Sequence, residues 1–84
     1  MMRDVTIQDY IGNKKELTAE QVKKLPTGSK VVVHSFDRYS SHVTLTMTVV
    51  QSGRKKILKT NDFYLGSIEK PIRQTTDRMT YTEA

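Results

Sequence analysis

Between His42 and Val50 the chain reads HVTLTMTVV, with Val43, Leu45, Met47 and Val49 alternating against Thr44, Thr46 and Thr48. A period of two sends successive side chains to opposite sides of a strand. One side of this segment is apolar and the other carries Thr44, Thr46 and Thr48, which predicts a strand with one dry face and one wet face. Gln51-Ser52-Gly53-Arg54 follows as a hairpin turn, with Gly53 able to take the positive φ that such turns require. Lys55–Thr60 (KKILKT) is then the return strand. An antiparallel pair, and with it a β-dominated fold, is the first thing this chain must build.

The flanking segments agree. Lys30–Phe36 (KVVVHSF) is rich in β-branched residues; Val31 and Val33 face one way, and Val32, His34 and Phe36 the other, so this strand is expected to be covered on both sides. Upstream, Thr18-Ala19-Glu20-Gln21 has the form of a capping box, with Leu17 and Val22 spaced as a hydrophobic staple. Glu20 in the first turn and Lys23-Lys24 near the last suit the helix dipole, and Pro26 ends the helix. A second short helix is expected near Ile7, Tyr10 and Ile11, capped by Thr6 and ended by Gly12-Asn13, with a strand as the alternative because Val5 and Ile7 also alternate. Phe63-Tyr64-Leu65 is expected to form a short strand ending at Gly66, with Pro71 limiting pairing beyond it.

Eighty-four residues make one domain, 1–84, with a folded core expected over 5–72 and an edge strand or flexible tail over 73–84, where only Met79 and Tyr81 are apolar. A domain of this size buries roughly 60–65% of the surface it exposes when unfolded. The chain has no cysteine, so disulfides cannot reinforce that core and thiolate zinc sites are excluded. Four or five short strands with one or two N-terminal helices fit a mainly β (α+β) architecture: a strongly bent antiparallel sheet, or a small barrel of the SH3-like sort. Closure would remove the exposed edges of so short a meander. An open sheet with the helix packed on one face is the rival arrangement. No apolar stretch is long enough to span a bilayer and the first residues lack a signal-peptide core, so a cytoplasmic protein without a membrane partner is expected.

Catalytic chemistry finds little support. The stretch His34-Ser35-Phe36-Asp37-Arg38-Tyr39-Ser40-Ser41-His42 holds both histidines, an aspartate and three serines, yet nothing in it resembles a nucleophile elbow. A solvated turn, in which Asp and Ser bond their own backbone, is the expectation. His34, Asp37 and His42 could offer three metal ligands only if the two strands pair directly across the loop; one half-buried and one exposed histidine is the plainer reading, and no metal or other cofactor is expected. The acids are spread thinly and the four glycines lie far apart, which removes carboxylate pairs and phosphate-cradling loops. The chain reads as a non-enzyme.

Charge supplies the functional lead. Lys and Arg number 14 against 9 Asp and Glu, a net charge of +5, and a basic balance favours anionic partners. The excess is concentrated at Arg54, Lys55, Lys56 and Lys59, four cations in six positions with no acid among them. If Ile57 points inward, Lys56 projects outward; if Leu58 does, Lys55 and Lys59 project with Ile57. Thr46 and its neighbours Thr44 and Thr48 on the partner strand can bond phosphate oxygens, and Arg38 and Tyr39 in the loop, with Phe36, Phe63 and Tyr64, offer a cation and flat rings for stacking on bases. These residues point to a binding module that takes nucleic acid, or an acidic protein, on a basic β-hairpin. The alternative is a protein-interaction module, or a homodimer, joined through an exposed sheet edge and its aromatic loops.

Overall fold

The structure is a computed structural model and describes residues 5–62 and 66–84; the strand expected at 63–65 and the rings of Phe63 and Tyr64 lie outside the described residues. Six antiparallel strands form one sheet: β1 (Glu16–Leu17), β2 (Lys30–Phe36), β3 (His42–Ser52), β4 (Lys55–Asp62), β5 (Gly66–Pro71) and β6 (Met79–Glu83). Two short helices, α1 (Gln8–Ile11) and α2 (Ala19–Lys24), complete the fold. The spatial order is β1-β6-β2-β3-β4-β5, a meander from β2 to β5 to which the last strand returns on the far side of β2.

The sheet is open, not closed into a barrel. Closure would have to join β1 to β5, and β1 offers only two residues for pairing. The edges are blunted differently: β1 is very short, and β5 carries Glu69 and Lys70 and ends on a proline. Nor are there four or five strands. Gly66–Pro71 pairs along its whole length with β4, and Pro71 is tolerated because it ends an edge strand. The segment expected as an edge strand or tail is interior: β6 lies between β1 and β2, with Thr80, Tyr81 and Thr82 buried. Its threonines disguise it as a surface strand.

Register divides the sheet into two faces. Val31 stands opposite Met47, Val33 opposite Leu45 and Tyr81, and Val49 opposite Leu58. These belong to the main core, which α2 covers with Ala19 and Val22. The Thr18 capping box forms as expected: its hydroxyl accepts from the Gln21 backbone N–H at 3.1 Å, and the Gln21 side-chain Oε1 accepts from Thr18 N–H at 2.8 Å. From β5 the chain crosses the same face, buries Ile72, and is pinned by Tyr81. The Tyr81 hydroxyl accepts from Arg73 N–H at 2.9 Å and donates to the Arg73 carbonyl at 3.1 Å.

The opposite face is covered only at its loop end, where α1 stacks Tyr10 on His42 (4.8 Å between centroids) and sets it edge-on to Phe36 (5.6 Å). Thr6 does not cap α1 with its side chain; Ile7 holds the N-cap position, and the Asp9 carboxylate accepts from Thr6 N–H at 3.0 Å instead. Elsewhere on this face Thr44 and Thr46 are exposed, Val32, Thr48, Val50 and Ile57 are half-buried, and Thr82 is buried. Among the described residues no helix is long and apolar enough to cross a membrane.

Candidate anion-binding pocket at the hairpin

The β3–β4 hairpin turns on Gly53 and Arg54, with Ser52 opposite Lys55 and a φ of 62° at Gly53. Because Leu58 is the inward residue, alternation sends Lys56 to the core face and Lys55 and Lys59 to the open one, although Lys55, at the strand end beside the turn, still borders the core-side corner. The four cations are therefore divided. Lys56 donates from Nζ to the Leu25 carbonyl at 2.7 Å, at the C-cap of α2, where a cation meets the negative end of the helix. That contact ties α2 to the hairpin and brings Lys23 beside it.

The result is a pocket of about 570 Å³ bounded by Lys23, Arg54, Lys55 and Lys56, with Pro71 and Ile72 forming its apolar side. β5 stops at Pro71, opposite Ile57, so no strand flanks Lys55 and Lys56, and the pocket fills that corner. Gln51 also lines it, its side-chain amide held by the Gly53 carbonyl at 2.9 Å. Among the described residues no carboxylate contributes to the lining. Four like charges around one concavity repel one another and focus a positive potential, so an anion entering there relieves the repulsion.

Other residues named from the sequence lie elsewhere. Lys59 stands opposite Thr48 on one side and Glu69 on the other, so its charge faces a carboxylate-bearing neighbour. Thr46 is exposed on the same open face, near the middle of β3. Arg38 and Tyr39 sit in the β2–β3 loop, at the opposite end of the sheet from the hairpin, with the guanidinium 5.8 Å from the Tyr39 ring. Phe36 packs against Tyr10 and carries Arg78 over its ring at 4.6 Å, so it is engaged in packing. Of the residues proposed from sequence, only Arg54, Lys55 and Lys56 converge. Lys23 was missed; its available signal was the pairing of a basic last helical turn with a Pro-Thr-Gly turn that returns the helix end to the hairpin.

The chain matches no family model, no curated protein and no solved structure.

The histidine loop resolves into structure. Asp37 Oδ1 accepts from the backbone N–H of Tyr39 (2.8 Å) and of Ser41 (2.9 Å), the turn expected for an aspartate here. β2 and β3 do pair across the loop, and His34 Nδ1 lies 3.1 Å from His42 Nε2 while His34 Nε2 lies 2.8 Å from Thr82 Oγ1. His34 is thus buried and bonded at both nitrogens, and among the described residues no group of three or more potential ligands gathers to hold a metal. Desolvation holds its pKa below the usual histidine value, reinforced by His42 and Lys14.

A lowered folded-state pKa means that the unfolded chain binds the proton more readily. The stabilisation is complete above about pH 6.5, the unfolded value, and is lost as pH falls from there through the folded pKa. Thermal melts should therefore shift down between about pH 7.5 and pH 5. His34→Gln, whose amide can still reach Thr82, should show a shallower decline over the same window. Equal slopes in the two proteins would exclude His34 as the source.

Proposed function

We propose that this domain binds nucleic acid, holding backbone phosphates in the hairpin pocket, and that it acts by binding and not by catalysis. The observation that carries this reading is the convergence of Lys23 from α2 with Arg54, Lys55 and Lys56 from the hairpin, with no carboxylate in the lining among the described residues. Phosphate contacts supply the sequence-independent part of nucleic-acid affinity, and closely grouped lysine and arginine are their usual donors. Gln51, positioned by the turn, adds a neutral donor beside them. In this reading Lys56 is structural as well as electrostatic, because its ammonium already serves the end of α2. A cytoplasmic location, shared with the nucleic acid, belongs to the same proposal.

The test is fluorescence anisotropy with labelled DNA and RNA at about 50 mM salt. Wild type should bind. The double reversal Lys23→Glu with Arg54→Glu, both at exposed positions, should abolish binding while leaving the melting temperature within a few degrees. Failure of the wild type to bind any DNA or RNA would sink the proposal. It would favour a protein partner added to the outer edge of β5, which is paired only to β4.

A further inference from the structure

A second concavity lies across Pro71 from the hairpin pocket. It measures about 340 Å³ and is walled by Val33, Leu58, Met79 and Tyr81, with Lys70 and Arg73 among its lining. Its origin is topological. The chain leaving β5 buries Ile72 near the hairpin and is then held at Arg73 by the Tyr81 hydroxyl. The part of the core face nearer the β2–β3 loop, where Ser35 stands opposite Met79, is left as a depression. Pro71 lines both spaces, so the two adjoin.

We propose that this depression accepts one unstacked base of a single-stranded nucleic acid whose phosphates run along Lys70, Arg73 and the hairpin cations. The inference rests on the function proposed above and specifies its ligand. Among the described residues the two spaces together present six basic residues and no acidic one, with an apolar recess at one end. That order matches a nucleotide chain, in which a flat apolar ring hangs from an anionic backbone. The volume lies at the lower end of the range for small-ligand pockets, which suits a single ring system and not a long acyl chain. A base within a duplex is stacked and paired and cannot enter such a recess without being flipped out; a base in a single strand can. Ser35, at the polar wall of the recess, offers a hydroxyl to the edge of the base. Met79 and Pro71, the accessible part of the apolar lining, supply contact without hydrogen-bond readout, so little preference among bases is expected.

Three labelled probes decide the matter at about 50 mM salt: a short single strand, a base-free strand of the same length, and a duplex. The single strand should bind roughly 5- to 100-fold more tightly than the base-free strand, the range that one buried base contributes. Ser35→Phe, which fills the recess, should bring the single strand down to the base-free value and leave the base-free strand unchanged. Should that variant fold poorly, the Met79 methyl resonance of the wild type provides the readout. It should shift on adding the single strand and stay fixed on adding the base-free strand.

Equal affinity for the single strand and the base-free strand, or an unmoved Met79 methyl with both, would overturn the base pocket while leaving phosphate binding intact. No binding of any probe would overturn both proposals.

Discussion

Leu58→Ala lowers the stability of the domain by about 2–5 kcal/mol, read from urea unfolding. The side chain is 1% exposed and stands opposite Val49 in the main core, so truncation removes apolar burial and leaves a cavity that a sheet held on both sides cannot easily close. A domain of this length is worth about 4–13 kcal/mol in total, so the loss is a large fraction of the whole and should show as a clear fall in the urea midpoint. Its neighbour supplies the control. Ile57 points to the open face and is only half-buried, and Ile57→Ala should cost about 1 kcal/mol. A slip of one residue in the β3–β4 register exchanges the two. Equal losses in the two variants would contradict the pairing described above.

Affinity for a single-stranded oligonucleotide should fall on the order of three-hundredfold between about 50 and 200 mM salt, and for a duplex somewhat more than a hundredfold. Each neutralised phosphate releases a condensed counterion. Lys70, Arg73 and the four hairpin-pocket cations give a log–log slope of about −4.2 on a single strand, and the four hairpin-pocket cations alone give about −3.6 on a duplex. Neutralising Lys23 and Arg54 should make the single-strand slope shallower by about 1.4. Lys59→Ala should leave it unchanged, since Lys59 projects from the other face and has Glu69 opposite it. If Lys59 contributes to the slope as strongly as Arg54, the polyanion lies on the threonine face and the hairpin pocket is not its seat.

What was legible in this chain was local. The alternation from His42 onward, the Thr18 capping box, the Gly53 turn and the bounds of β2 all depend on residues a few positions apart, and all appear in the structure. The position of Met79–Glu83 depends on pairing with residues about 44–52 and about 64–66 positions away, and its threonines give no local sign of burial. Thr82 is buried because His34 supplies a partner for its hydroxyl, and Thr80 because its hydroxyl donates to Glu16 at 2.8 Å. Those partnerships are invisible until β1, β6 and β2 are side by side.

The expected barrel failed for a related reason. Edge protection was assumed to need closure, whereas a two-residue strand at one margin and a proline-ended strand at the other achieve it in an open sheet. At the site, the hairpin cations were readable as a cluster, but the side on which each projects turned on whether Ile57 or Leu58 is buried. Lys23 joins them through tertiary contact alone.

The central position of the last strand also governs how the protein is made. A ribosome releases β2 through β5 before residues 79–83, so the meander can assemble while the outer margin of β2, rich in valine, still has unsatisfied backbone groups. During that interval a nascent chain can capture the β6 of a neighbour in place of its own, giving exchanged dimers. Slower translation or crowded polysomes should raise their yield, and fragments ending before Met79 should precipitate.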